Sequence, residues 1–369
     1  MSGLAGIALI LPPRERFRAG DAGAVALTVR DFVQASRWRG QITVFGGEAE
    51  HFPDIAYRCV PARPAWLLGR NLAYAVACIA AVKATGVALV EVHNRVALAL
   101  RLKARFPARK VTLHLHNDPQ GMQGTKTPAQ RLRLLQRLDA VYCVSTYVRE
   151  RLLDGLGDVD ASHVHVIYNA MIPSPPVVPE TKQRWVVYAG RFIPEKGVLE
   201  LARALARILP QYPDWRGVFL GAWGFGHEAG RSGYEQEVYA VLKAVAGQVE
   251  FRGHVPHSEV LEVFGQAAIA LSPSTGIDAF NRAAVESMDR GCATIVSTMG
   301  GLRELGGDAA VSVDPVTPDT LAAALSALMG DDAYRATVAR ACQARVHQLF
   351  NLDGQVRRLD ALRAGLLES

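Results

Sequence analysis

Around residues 171–182 the chain reads MIPSPPVVPETK, rich in proline and without apolar periodicity, and on either side short apolar runs alternate with helical patterns. A proline-rich break of this kind is a stiff linker, not part of a core. Buried-strand runs alternating with amphipathic stretches specify parallel sheets covered by helices. The chain is therefore predicted to form two doubly wound α/β units, residues 1–172 and 183–349. With 369 residues and 50% hydrophobic content, it can bury two ordinary cores. In the first half the expected strands are Ala5–Leu11, Gln41–Phe45, Ala88–Val92, Val111–His116 and Ala140–Ser145. In the second they are Trp185–Ala189, Val218–Gly221, Val249–Gly253, Ala267–Leu271 and Ala293–Ser297. Helical patterns run over Ala24–Ser36, over Val198–Leu209 up to Pro210, and over Arg282–Arg290 up to Gly291 as a C-cap.

Several function classes are excluded by what the chain lacks. No apolar run approaches the roughly 20 residues that span a bilayer. The opening MSGLAGIALILPP has no basic stretch and reads as a first strand, not a signal peptide. Five cysteines (Cys59, Cys78, Cys143, Cys292, Cys342) sit apart in apolar surroundings, as buried free thiols do, so a cytoplasmic protein is expected. The charge is uneven. Residues 1–172 hold 22 Lys/Arg against 13 Asp/Glu, a surplus of +9, and the rest hold 19 against 22, or −3, together the net +6. A basic first half suits an anionic partner such as a membrane surface, or is simply a solvated surface, since its basic residues are dispersed along helical stretches such as Arg101–Lys110 and Arg131–Arg137. Nucleic acid is not expected, because no binding motif or interleaving of aromatic with basic residues appears.

The residues fit for chemistry fall in loops that follow the predicted strands. Asp278 precedes the helix that carries Glu286, eight positions on, so both can face a ligand at the carboxyl ends of the strands. Arg191 and Lys196 follow the strand Trp185–Ala189 and stand beside a helix start. A guanidinium fork and a mobile ammonium beside a helix start are donors suited to an anion. In isolation these two would read as surface cations; their placement upstream of Asp278 and Glu286 gives them a site. The turn Gly20, Asp21, Gly23, Ala24 could offer backbone N–H groups to a phosphate or be an ordinary βα turn. It lacks the G-x-G-x-x-G spacing of a dinucleotide fold, which counts against a dehydrogenase. His114 and His116 share one strand face, with His116 nearer the strand's end. A lone histidine is usually structural, and that is the expectation for His114. The one Asp-x-Asp, Asp158-Val159-Asp160, precedes an apolar run instead of following a strand, so it is poorly placed to hold a metal.

The segments 186–197 and 271–305 resemble family 4 of the retaining glycosyltransferases, enzymes of the GT-B fold. Phe280, Glu286 and Gly291 match its motif of two acidic residues eight apart. Gly190-Arg191 and Lys196-Gly197 match its phosphate-binding stretch. Asp278 stands where the family has glutamate, and Asn281 where it has glycine. The resemblance implies two Rossmann-like domains facing a central cleft, with the last helix, residues 350–369, packing back on the first domain. It implies a nucleoside diphosphate-sugar donor, UDP- or GDP-linked, with no cofactor and no metal. Arg191 and Lys196 would stabilise the leaving diphosphate, Glu286 the ribose, and Asp278 and His116 the sugar. Gly23, Gly190, Val255, Ala279, Phe280, Asn281, Gly300 and Gly301 would line the donor. The runs His93-Asn94-Arg95 and His116-Asn117-Asp118 resemble those of a bacterial subgroup tied to envelope polysaccharide assembly. There Asn94, Arg95, Asn117 and Asp118 would lie on the side of a saccharide or lipid-linked acceptor, at the inner face of the membrane. Two rivals share the fold: a nucleotide-sugar epimerase, and an inactive ligand-binding relative suggested by the departures at 278 and 281. The same departures lead us to expect a donor preference set jointly by those two positions.

Overall fold

The computed structural model describes residues 6–20, 22–61, 69–176, 178, 181–222 and 233–368. The chain divides into two compact units, Met1–Met171 with Leu352–Ser369, and Ile172–Asn351. Each is a doubly wound, Rossmann-like parallel sheet with helices on its faces, the pair of folds that the resemblance implies.

The first unit holds β1 (Ile7–Ile10), β2 (Ile42–Gly46), β3 (Tyr57–Cys59), β4 (Leu89–His93), β5 (Lys110–Leu115), β6 (Ala140–Cys143) and β7 (Val164–Val166) in the order β3-β2-β1-β4-β5-β6-β7. Every pairing is parallel. A parallel sheet is covered on both faces, which is why β1, β4 and β6 are buried at every position; β1 and β6 read as unbroken apolar runs, while β4 carries the buried Glu91 and His93. The second unit holds β8 (Gln183–Ala189), β9 (Arg216–Leu220), β10 (Val249–Gly253), β11 (Ala267–Ser272), β12 (Ala293–Ser297) and β13 (Val311–Val313) in the order β10-β9-β8-β11-β12-β13. In such sheets the order reverses at a switch point, between β1 and β4 in one unit and between β8 and β11 in the other. The loops diverge there and leave room for a ligand at the carboxyl ends.

Three strands, β3, β7 and β13, were not foreseen. Each has three residues and sits at a sheet edge. Several boundaries also move by one or two residues, two of them at the histidines. His93 ends β4 instead of opening the loop after it, and β5 stops at Leu115, so His116 lies just past its strand. Of the expected first strand, Ala5 lies outside the described residues, as do Asp21 and positions 177, 179 and 180 of the linker.

The helix Leu352–Glu368 belongs to the first unit. Its Leu352, Val356 and Leu359 pack with Phe32, Tyr142 and Ile167. One turn on, Arg363 is 1% exposed and donates Nε to Glu91 Oε1 at 2.9 Å and Nη2 to Oε2 at 2.7 Å, a bidentate pair. Its Nη1 reaches Asp360 Oδ1 at 2.9 Å and Ser36 Oγ at 3.2 Å. Burial works against a charged Arg363, but the two carboxylates outweigh it and raise its pKa. The last helix is thus tied to β4 by a buried ionic network. Among the described residues no helix is long and apolar enough to cross a membrane.

Candidate functional site

At the switch point of the second unit, the loops after β8 and β11 are zipped together by backbone. Thr275 N and Gly276 N both donate to Glu195 O, at 3.1 and 3.0 Å. Gly197, in the left-handed region with φ +65°, makes this possible, since a Cβ there would collide with the Pro273 carbonyl oxygen. The zipping brings Lys196 to Asp278, with Nζ 2.5 Å from Oδ2. Ser274 Oγ and Asn281 Nδ2 donate to the same oxygen at 3.2 and 2.9 Å. Asp278 is also fixed through its backbone, whose carbonyl accepts from Gly301 N at 2.7 Å. Gly300, at φ +65°, bridges to it where any side chain would meet the Asp278 carbonyl.

Asn281 has a structural task that its sequence position did not reveal. Its Oδ1 accepts from Ala284 N at 2.9 Å as the N-cap of the helix Arg282–Asp289. One side chain therefore starts the helix with its oxygen and holds Asp278 with its nitrogen. It is committed on both sides. The next residues, Ala279 and Phe280, are buried, and the Phe280 ring packs edge-on against Phe350 at 5.6 Å.

Glu286 sits one turn into that helix, 4% exposed. Its Oε1 accepts from Arg282 Nε at 2.6 Å and faces His257 Nε2 at 2.7 Å. Burial pushes its pKa up, yet the Arg282 and His257 contacts prevail and hold it below the ordinary glutamate value. It is thus an ionised, acceptor-only carboxylate with its orientation fixed. Neither partner was foreseen. Arg282 lies at i−4 on the same helix, a spacing visible in sequence; His257 comes from another helix and left no signal. Arg191 is exposed, with no hydrogen-bond or ion-pair partner for its side chain among the described residues. Gly190 N donates to Leu220 O at 2.9 Å, and Val255 packs half-buried against the core.

In the first unit, β4 and β5 align His93 beside His114, and His116 follows. The rings stack, with centroids 4.4 Å apart for His93–His114 and 5.1 Å for His93–His116. His93 Nδ1 lies 2.8 Å from His116 Nε2. Burial above all keeps all three neutral. It pushes His114, helped by the Arg363 charge, and His116, helped by His114, down to about 3. His114 is thus one of three linked rings. They are the one group of potential metal ligands found among the described residues, with nitrogens within 4.8 Å of one another. Rings 16–23° from parallel keep their in-plane lone pairs in near-parallel planes, so one ion cannot face all three without rotation.

Two of the expected residues on this side lie beside groups that are already engaged. At the N-terminus of the helix Ala24–Ala35, behind Gly23, Glu15 Oε1 accepts from Ala26 N at 3.1 Å. Asp118 is likewise engaged. Its Oδ1 accepts from Gln120 N at 2.9 Å and its Oδ2 pairs with Arg151 Nη2 at 3.1 Å, so its carboxylate anchors a turn. Asn117 is exposed, while Asn94 is buried, has φ 53°, and accepts from His116 N through Oδ1 at 2.8 Å.

Residues 174–345 match the family model described as Glycosyl transferases group 1, and residues 25–174 match that described as Glycosyltransferase Family 4. The chain is 29% identical over 168 residues to the phosphatidyl-myo-inositol mannosyltransferase of Mycolicibacterium smegmatis, covering 45% of this chain and 41% of that relative's length. It is 21% identical over 290 residues to the lipopolysaccharide 1,2-N-acetylglucosaminetransferase of Salmonella typhimurium, covering 74% of this chain and 71% of that one. Among solved structures it is similar in fold to Anabaena Alr3699/HepE in complex with UDP, with a TM-score of 0.78, 19% identity, and coverage of 98% and 100% of the two chains.

Proposed function

The chain belongs to the group 1 glycosyl transferases of family 4, and from that membership we propose that it moves a sugar from a UDP- or GDP-linked donor to a saccharide or lipid-linked acceptor. In this reading the transfer serves cell-envelope or exopolysaccharide synthesis, retains anomeric configuration and needs no metal. The observation that carries it is the meeting of Lys196 and Asp278 at the β8–β11 switch point. A cation and a carboxylate placed together suit the two ends of a diphosphate-sugar. Lys196 and the exposed Arg191 take the diphosphate, which gains charge as the glycosidic bond breaks. Asp278, released from Lys196 as the donor enters, accepts from sugar hydroxyls. Glu286 accepts from the ribose, and the backbone at Gly300 and Gly301 approaches the donor closely.

The first unit presents the acceptor, with His116 held for the transferred sugar by Asn94 and His93. The envelope role is supported by the lipopolysaccharide and phosphatidyl-inositol transferases among the relatives, and a UDP donor by the UDP complex of HepE. The basic first half supports docking on an anionic membrane surface at the cytoplasmic side.

Thermal unfolding with a panel of UDP- and GDP-sugars tests the donor reading, since a ligand that binds only the folded chain raises its midpoint. One nucleotide sugar is expected to stabilise more than its free nucleotide does, and turnover with it should survive excess EDTA. No shift with any donor would remove the donor reading. Turnover lost to EDTA and restored by manganese would remove metal independence.

A further inference from the structure

The first unit has its own switch point, between β1 and β4, and a cavity of about 220 Å³ opens there. It is lined by Pro13 after β1, by Asn94 and Arg95 after β4, and by Arg101 and the first turn of the helix Val96–Arg105. No aspartate or glutamate is among its lining residues. Neither arginine has an ion-pair partner among the described residues, and Arg95 Nε is buried without a hydrogen bond. Glu15, the carboxylate that Arg95 feels, is engaged with Ala26 N. The helix N-terminus carries no side-chain cap and no acidic residue in its first turn.

Two guanidiniums without an ion-pair partner among the described residues, Arg95 bonded only through Nη1 to the Asn94 carbonyl at 3.2 Å, stand at an uncapped helix N-terminus with no carboxylate in the cavity lining, and together they describe a site for a multiply charged oxyanion. Drug-sized ligands fill roughly 300–1,000 Å³, so this volume suits a charged headgroup, not a whole oligosaccharide. Asn94 links the cavity to the chemistry. Its backbone is held in the left-handed region while its Oδ1 fixes the His116 amide, so an anion seated on Arg95 adjoins the residue that places His116.

We propose that this cavity binds a phosphate or diphosphate carried by the acceptor, so that the enzyme accepts phosphorylated substrates. The inference rests on the reading of the first unit as the acceptor side. The phosphate could be borne by a lipid carrier or by a soluble sugar phosphate; the chemistry recognised is the same.

The test begins by titrating UDP into the full chain, which reads the donor site alone. Inorganic pyrophosphate is then titrated into the UDP-saturated chain, wild type, Arg95→Gln and Arg101→Gln. Pyrophosphate is expected to bind the wild type at one site, and each substitution to weaken it by about tenfold or more as a charge-assisted contact is lost. UDP affinity should be the same in all three. Arg101 is exposed, so its variant keeps the test readable should Arg95→Gln disturb folding. Pyrophosphate that binds equally in all three chains, or not at all, overturns the proposal. If UDP does not bind, GDP takes its place in the same titration; failure of both would instead count against the donor reading, and the comparison among variants would still report on the cavity. Tighter binding of a polyprenyl diphosphate in detergent micelles than of glucose 1-phosphate assigns the phosphate to a lipid carrier; the reverse order assigns it to a soluble saccharide.

Discussion

Replacing Lys196 with alanine lowers turnover by a factor of about 100 or more, comparable to the loss of one preorganised donor at a developing oxyanion. The charge on the diphosphate grows as the sugar leaves, so the missing ammonium is felt most in the transition state. The fall should therefore appear in kcat as well as in kcat/KM. Folding should survive. The loop is held by backbone bonds from Thr275 and Gly276 to Glu195, and Asp278 keeps Ser274 and Asn281 as donors. Lys196→Arg should recover only part of the rate, because a planar fork on a different stem cannot occupy the same point. A folded Lys196→Ala enzyme with unchanged steady-state rates would remove Lys196 from the donor site.

The second large effect is on stability. Arg363→Ala leaves Glu91, 0% exposed, and Asp360, 4% exposed, as buried carboxylates without their cation. Removing one partner of such a pair costs on the order of 3–5 kcal/mol, and for a unit of this size each kcal/mol lowers the unfolding midpoint by roughly 2–4 °C. The pH dependence has a definite sign. In the unfolded chain each histidine takes up a proton near pH 6.5, while folded His114 resists until about 3. Wild-type stability therefore falls as pH drops below about 6.5. Burial still opposes a charged His114 in the variant, but the Arg363 repulsion is gone and Glu91 lies 3.9 Å away, so His114 protonates at a higher pH than in the wild type and the deficit should shrink as pH falls. Pairing Arg363→Met with Glu91→Leu should return part of the loss, since the Glu91 charge goes with its partner while Asp360 keeps Ser36 Oγ and Arg37 N as donors. A midpoint unchanged by Arg363→Ala would show that the network does not hold the last helix.

Much of the fold was legible because the parallel strands are buried on both faces and so stand out as continuous apolar runs, Ile7–Ile10 and Ala267–Leu271 among them. The edge strands Tyr57–Cys59, Val164–Val166 and Val311–Val313 were not, because three residues at a sheet edge carry no periodicity. In the site, the eight-residue spacing of Asp278 and Glu286 stands in the sequence itself, and the Gly-Arg and Lys-Gly stretches were singled out through the resemblance to family 4. What could not be read was pairing between distant segments. His93 stands beside His114 only because β4 neighbours β5. His257 reaches Glu286 from another helix, and Glu15 fills the helix N-terminus behind Gly23. The double commitment of Asn281, to the cap and to Asp278, follows from a loop conformation that sequence does not encode locally.

The most direct test of the central claim is to follow one nucleotide sugar, chosen from the binding panel, by proton NMR with enzyme and a phosphorylated saccharide acceptor. The account predicts release of free nucleoside diphosphate in step with a new glycosidic linkage whose anomeric configuration is that of the donor. Interconversion of the donor into its epimer without nucleotide release, binding without turnover, or a product of inverted configuration would contradict it.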